Sequence, residues 1–249
     1  MSPRLYRTLQ ALILAALGIF LLQKIWSGTL YWYISNRFLA LTVFAAIGFL
    51  VLAQNILPRR RPAAAPVDPD HHDHDHDHGE VAPAWGLLIV ALPVLLGLLI
   101  PAKPLGAAAI ANKGVNTSAP LAASREAVRL DIAPTDRNIL DWIRAVNYAA
   151  DPVSLNGLPA DVIGFVYHDS RLGNDEFLAA RFTLNCCVAD ASALGVVVQW
   201  PGAASLAGNS WVRVRGAVEA STLDGQRIPF IKAESVESVA EPSQPYLYP

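Results

Sequence analysis

A run of alternating imidazole and carboxylate side chains has the clearest capacity for chemistry in this sequence. The stretch DPDHHDHDHDHGE, residues 68–80, holds five of the six histidines of the chain. Neutral imidazole binds borderline divalent cations such as Zn²⁺, and the interleaved carboxylates add oxygen ligands and negative charge. The predicted metal ligands are His71, His72, His74, His76, His78, Asp73, Asp75 and Asp77. The pattern therefore predicts a loop that binds several exchangeable divalent ions, with zinc as the first candidate and nickel, cobalt and copper open.

Two simpler explanations of the same run remain. A purification tag is disfavoured because the run is internal and is interrupted by aspartate. A solubilising polar linker would satisfy the composition, but it gives no reason to prefer histidine over glutamate, lysine or serine. Metal binding accounts for the choice of residue type.

Three apolar segments surround this loop, at residues 8–23, 38–58 and 81–102. A helix needs about 20 apolar residues to cross a bilayer core of roughly 30 Å, and the second and third segments reach that length. The first is shorter, but Lys24 can extend its ammonium to the interface. Its start resembles a signal peptide, yet the residues after it do not form a small-residue cleavage site. We predict three uncleaved transmembrane helices, since none of the segments has an amphipathic face.

The orientation of these helices follows from their basic flanks. These residues are Arg4 and Arg7 before the first helix, Lys24 and Arg37 in the turn after it, Arg59, Arg60 and Arg61 after the second, and Lys103 and Lys113 after the third. Arginine clusters are retained in the cytoplasm, which predicts a cytoplasmic N-terminus and histidine loop. Trp26, Tyr31, Trp32 and Tyr33 would then form an outer interfacial belt. We expect a multi-pass protein of the plasma (inner) membrane with an extracytoplasmic C-terminal half.

The second half of the chain is predicted to be a mainly β domain with one preceding helix. Within APTDRNILDWIRAVNYAAD, apolar residues recur at helical spacing, Thr135 or Asp136 could cap the helix, and Asp151-Pro152 would end it. Alternating or β-branched segments follow at 160–169, 176–190, 194–200, 210–220 and 228–239. Five such strands favour an OB-like barrel, whereas an immunoglobulin-like sandwich would want about seven. Nucleic-acid binding is disfavoured because the domain is not strongly basic and is predicted to lie outside the cell.

The predicted organisation divides the chain into six parts. They are transmembrane helices 1 and 2 (1–58), the cytoplasmic His/Asp-rich loop (59–82), transmembrane helix 3 (83–102), a linker (103–124), the β domain (125–240) and a tail (241–249).

A second candidate site is the segment RFTLNCCVADA, which holds both cysteines of the chain. In a strand, Cys186 and Cys187 would point to opposite faces. Three interpretations stay open: one buried and one surface thiol, a vicinal disulfide, or thiolate ligands supported by Asp190 or His168. The chain has no catalytic triad, phosphate loop or HExxH motif, so we predict no catalytic residue and no organic cofactor.

Taken together, these segments resemble a family of bacterial membrane proteins described as two-component permease subunits. The specific likeness lies in GFVY, in RFTLNCCVADA with Gly195, and in the PYLYP tail; the helices and the HHDHDHDHGE loop are generic. The resemblance implies that Cys187 and Asp190 are recurrent positions and that the partner is a multi-helix membrane permease. It implies an integral membrane accessory subunit, with a membrane-anchored binding or assembly protein as the alternative.

Overall fold

The computed structural model describes residues 2–57, 85–116, 132–223 and 225–248. The predicted histidine loop lies outside the described residues. The chain divides into two compact units, which we call the helical unit (Met1–Leu30 and Asn36–Ala102) and the β unit (Tyr31–Ser35 and Lys103–Pro249). Five residues of the connection between the first two long helices, Tyr31–Ser35, thus belong to the β unit.

The helical unit consists of α1 (Pro3–Trp26), α2 (Leu39–Ile56) and α3 (Trp85–Leu99). Two of its helical stretches, Arg4–Trp26 and Asn36–Ile56, are long and apolar enough to cross a membrane. At 15 residues, α3 spans only about 22 Å, which is less than a bilayer core. Two membrane spans are therefore candidates by length and composition, and the third span stays a prediction.

Small residues bring α1 and α2 close together. Ala11 on α1 and Ala46 and Ala53 on α2 are buried. A Cβ atom at Gly18 would lie 2.9 Å from the carbonyl oxygen of Ala46, so only glycine allows this backbone approach. Close contact through small residues is how helices associate in lipid, where burial of apolar surface gives no driving force between them. Larger apolar side chains such as Phe44 are exposed, as expected of a lipid-facing surface.

The β unit contains a mixed β-sheet. Its strands in the described residues are β1 (Val115–Asn116), β2 (Pro159–Tyr167), β3 (Glu176–Thr183), β4 (Ser192–Gln199), β5 (Trp211–Leu223), β6 (Gln226–Ser238) and β7 (Tyr246–Leu247). Each of the five long strands pairs with two others: β2 with β3 and β5, β5 with β6, β6 with β4, and β4 with β3. Only the β4–β6 pairing among these is parallel. Each of the five segments predicted as strands overlaps one of these five long strands.

Helix α5 (Ile139–Tyr148) packs its apolar face into the main core of the β unit. The residues that its periodicity singled out, Ile139, Trp142, Ile143 and Val146, are fully buried. The predicted N-cap at Thr135 or Asp136 is wrong, because these residues form a separate 3₁₀ turn and the chain extends again at Arg137. Asn138 caps the helix instead. It forms a capping box with Asp141, which satisfies amide groups that the first turn leaves unpaired.

The range predicted as a linker, 103–124, instead contains α4 (Ala107–Lys113) and β1. Ile110 of α4 is buried against Phe165 and Phe182. The first amide of the helix, that of Ala107, donates to the side-chain oxygen of Asn209 at 2.7 Å. Part of this segment is therefore built into the β unit.

The predicted tail, 241–249, is also part of this unit. Its residues Tyr246 and Leu247 form β7, which pairs in parallel with the end of β3. The tail therefore extends the sheet at the point where β3 leaves it.

Candidate functional site

The CCVAD segment forms a tight turn directly after β3, which ends at Thr183 rather than at the predicted residue 190. The Asp190 carboxylate accepts hydrogen bonds from the amides of Asn185 at 3.2 Å and Cys186 at 2.7 Å. The amide of Asp190 in turn donates to the carbonyl oxygen of Cys187 at 3.0 Å. One aspartate therefore closes the turn, in the way that aspartate caps a helix end, and this local bonding draws the backbone out of the sheet.

The two cysteines consequently do not alternate across a strand as predicted. Both are free thiols and half-buried, and their Sγ atoms lie 3.6 Å apart. The hydrogen bond to the Asp190 carboxylate raises the pKa of the Cys186 thiol to about 11. Partial burial works to raise the pKa of Asp190, but its hydrogen bonds with Cys186 and Asn185 hold that pKa below the usual value. At neutral pH the turn thus carries one carboxylate and a protonated Cys186.

This turn holds the connection between the first two helices. The amide of Ser35 donates to the carbonyl oxygen of Cys186 at 2.9 Å, and the amide of Val188 donates to the carbonyl oxygen of Tyr33, also at 2.9 Å. Ile34 and Cys187 thereby form an antiparallel β-bridge. We call the five residues Tyr31–Ser35 the clip segment. Its backbone is bound by backbone atoms of Cys186 and Val188, and Ser35 is buried there.

The tyrosine tail holds the same clip segment from a second direction. The Tyr246 side chain is almost fully buried. Its hydroxyl donates to the carbonyl oxygen of Trp32 at 3.2 Å and accepts the amide of Leu105 at 2.7 Å. One phenol therefore joins the clip segment, the chain just before α4, and β7. The two sequence motifs that carry the family resemblance, CCVAD and PYLYP, act on the same five residues.

The structure brings together three of the four predicted ligand or docking residues. Cys186, Cys187 and Asp190 share the turn, whereas the Nε2 atom of His168 bonds to the carbonyl oxygen of Leu206 at 2.9 Å. Both carboxylate oxygens of Asp190 are already occupied by backbone amides. In the part of the chain that the structure describes, no group of three or more His, Cys, Asp or Glu side chains could hold a metal ion. The eight ligands predicted at 71–78 lie outside that part.

The two arginines of β5, Arg213 and Arg215 in the stretch WVRVRGAV, form ion pairs with the neighbouring strands. Arg213 binds the Asp161 carboxylate through two hydrogen bonds of 2.6 Å, and Arg215 bridges Asp161 at 3.2 Å and Glu237 at 2.9 Å. The hydrogen bond with Arg213, against partial burial, lowers the pKa of Asp161. These ion pairs link strands β2, β5 and β6, and the two guanidinium groups neutralise the two carboxylates.

Sequence reasoning missed the clip segment. The sequence places Tyr31, Trp32 and Tyr33 in an outer interfacial aromatic belt, whereas in the structure Trp32 packs against a core cluster of the β unit. A usable signal was present, since the connection between the two long helices is rich in aromatic residues and carries the β-branched Ile34.

Comparison with known proteins connects both halves of the chain to one family. The DUF1980 N-terminal domain matches residues 9–116, and the DUF1980 C-terminal domain matches residues 112–249. A Streptococcus mutans protein named "Putative two-component membrane permease complex subunit" is 26% identical over 208 residues, which cover 68% of this chain and 75% of that protein. The UPF0703 protein YcgQ of Bacillus subtilis is 22% identical over 121 residues, covering 47% of this chain and 41% of that one.

Among solved structures, a small single-stranded DNA-binding protein from Streptomyces coelicolor aligns with 33% of this chain and 93% of its own length. The identity is 14% and the TM-score is 0.23, a likeness too low to carry an argument on fold or ligand. The family matches cover the chain from residue 9 to its last residue. Because the two domain models of this family together match nearly the whole sequence, the chain belongs to the DUF1980 family.

Proposed function

We propose that this chain is an integral membrane accessory subunit of a permease, which binds divalent metal, first of all zinc, through its cytoplasmic His/Asp-rich loop. The name of the Streptococcus mutans relative supports the subunit role, as do the two apolar helices. The proposal gives the chain no catalytic role and no organic cofactor. Its partners are the lipid bilayer and a multi-helix permease, not nucleic acid.

The observation that carries the membrane arrangement is the position of the clip segment inside the β unit. The amide of Ser35 donates to the carbonyl oxygen of Cys186, and the amide of Val188 donates to that of Tyr33. These two hydrogen bonds favour an arrangement in which the clip segment and the rest of the β unit lie on one side of the bilayer. If α1 and α2 both cross, residue 57 is on the opposite side from the β unit. The chain must then return through α3.

This reasoning supports α3 as the third span in spite of its length. Ile100, Pro101 and Ala102 continue the apolar stretch after Leu99, and a short span is accommodated by local thinning of the bilayer. The cluster Arg59–Arg61 favours the cytoplasm for the loop before α3. The β unit then lies outside.

The strand pairing supports the OB-like barrel. The order β2–β3–β4–β6–β5 returns to β2, so each long strand has two neighbours, which is how a closed barrel removes sheet edges. In this chain α5 precedes the first of those strands. The barrel would be a compact extracytoplasmic module that docks on the permease or its cargo.

The low charge of the apolar helices indicates that the chain needs a permease partner for transport. Among the described residues, no charged side chain lies inside α2 or α3, and ion pathways through membranes are marked by intramembrane polar groups. Three such helices would not form a pore by themselves. The transported species would cross the membrane through the permease, and the histidine loop would bind metal at the cytoplasmic opening of the permease.

Affinity capture tests the subunit role. The full-length chain is co-expressed with a candidate multi-helix permease from its own host, extracted in mild detergent and captured. A stoichiometric complex is expected. If the permease stays in the flow-through while the captured chain is folded, the accessory role is contradicted. The alternative, a membrane-anchored binding or assembly protein with no transport role, would then be favoured.

A further inference from the structure

Both cysteines of the chain lie at the contact that holds the clip segment. Their Sγ atoms are 3.6 Å apart, and both side chains are half-buried and free. The carbonyl oxygen of Cys186 accepts the amide of Ser35, and the next amide after Cys187, that of Val188, donates to Tyr33. The thiols therefore sit on the stretch of backbone whose shape determines whether the clip segment can bind.

A disulfide between these neighbours is incompatible with that shape. Cys187 has extended backbone angles, φ −154° and ψ 174°. Adjacent Cα atoms lie about 3.8 Å apart across a trans peptide, whereas ordinary disulfides join Cα atoms about 4.4–6.8 Å apart. Closing a ring over one peptide bond thus requires the backbone between Cys186 and Cys187 to distort. The β-bridge to Ile34 depends on the same backbone.

We propose that Cys186 and Cys187 are a redox latch: as thiols they hold the clip segment on the β unit, and as a disulfide they release it. The oxidant is the disulfide of a thiol–disulfide exchange protein. The thiolate of one cysteine attacks a sulfur of that disulfide and expels one thiol; the second cysteine then attacks the mixed disulfide and expels the other. Two electrons and two protons pass from the cysteines to the oxidant, which leaves as a dithiol.

The source of oxidant rests on the proposed function, because only an extracytoplasmic β unit meets an oxidising compartment. The raised pKa of Cys186 keeps that thiol protonated at neutral pH and slows uncatalysed oxidation, since the thiolate is the reactive form. Release would uncouple the α1–α2 connection from the β unit.

Hydrogen exchange on the full-length protein in detergent tests the latch, and detergent makes the result independent of membrane sidedness. The protein is treated with a disulfide exchange catalyst or with diamide and compared with the reduced protein. Loss of two hydrogens in the intact mass, with no alkylation by iodoacetamide, identifies the internal disulfide. In that species we expect the amides of Ser35 and Val188 to exchange about tenfold faster or more. The Cys186→Ser/Cys187→Ser variant should keep slow exchange under the same oxidant.

Three outcomes would overturn the proposal. One is an oxidised protein whose Ser35 and Val188 amides exchange at the reduced rate. Another is a protein that keeps two alkylatable thiols after exposure to the catalyst and to diamide, or that forms only intermolecular disulfides. The third is fast exchange of the Ser35 and Val188 amides in the serine variant before any oxidant is added. The backbone contact would then depend on the sulfur atoms themselves and not on the absence of a disulfide.

Discussion

Removing the Tyr246 hydroxyl should loosen the clip segment, whereas removing the neighbouring Tyr248 hydroxyl should not. In Tyr246→Phe, the amide of Leu105 loses its acceptor and the carbonyl oxygen of Trp32 loses its donor. Leaving a buried polar group unsatisfied costs about 1–3 kcal/mol. Because Leu105 is only half-buried, we expect about 1.5 kcal/mol, at the lower part of that range. For a domain of this size, that lowers the melting temperature by about 3–6 °C.

Tyr248→Phe is the matched control. The Tyr248 hydroxyl is buried without a hydrogen-bond partner in the described part of the chain, so its loss removes an unsatisfied group and should be neutral or slightly stabilising. Intrinsic tryptophan fluorescence of the full-length protein in detergent reports melting of both variants. Equal melting temperatures for the two variants, or a larger loss for Tyr248→Phe, would refute the role given to Tyr246.

The same hydroxyl predicts a fall in stability at high pH. Burial raises the pKa of Tyr246 above its usual value of 10.0. The unfolded chain then ionises first as pH rises, so it binds fewer protons than the folded chain and is favoured by linkage. This part of the stability is complete below about pH 10 and is lost as pH rises through the folded pKa. The pH dependence in that window should be smaller in Tyr246→Phe.

Three further changes test other parts of the account. Replacing all five histidines of the loop by serine should remove most bound zinc without changing expression or melting; equal zinc stoichiometry by calorimetry in the variant and the parent would contradict the metal site. Asp190→Ala should lower the free energy of unfolding by about 1 kcal/mol, as for loss of an N-cap. Because the fold lowers the pKa of Asp190, the variant should also lack the part of the stability that the parent loses below about pH 4. Unchanged melting with lost permease binding would instead make Asp190 a docking residue. Gly18→Ala should destabilise the packing of α1 on α2, because the new Cβ would lie 2.9 Å from the carbonyl oxygen of Ala46. A Cβ at Gly48 has no neighbouring atom within 4 Å, so Gly48→Ala should be neutral or stabilising. A lower melting temperature in detergent for Gly48→Ala than for Gly18→Ala would contradict the close approach.

Periodic segments of the sequence predicted their elements well. The 3.6-residue spacing of Ile139, Trp142, Ile143 and Val146 places them on one face of α5, and all four are buried. Alternation in WVRVRGAV likewise predicts β5, in which Val212 and Val214 are buried. In both segments, the burial of apolar side chains on one face is the dominant local force.

The parts that sequence reasoning missed depend on contacts between distant residues. The segment 107–116 is rich in alanine. Its burial depends on Ile110 packing against Phe165 and Phe182, and no local sequence pattern reveals this contact. Thr135, Asp136 and Asn138 are all good N-caps, and only the extension at Arg137 selects Asn138. The clip segment is recognised through backbone atoms and one distant phenol, so its side chains show no repeat.

The side of the membrane on which the β unit lies shows whether α3 carries the chain back across the bilayer, as we propose. Single cysteines are introduced into the full-length Cys186→Ser/Cys187→Ser chain at Val153, which is exposed in the β unit, and at Ala64, which lies in the predicted cytoplasmic loop ahead of its first histidine. Cells with an intact cytoplasmic membrane are treated with a membrane-impermeant maleimide. We predict labelling of Val153→Cys from outside and of Ala64→Cys only after permeabilisation. Labelling of Val153→Cys only after permeabilisation would contradict the account.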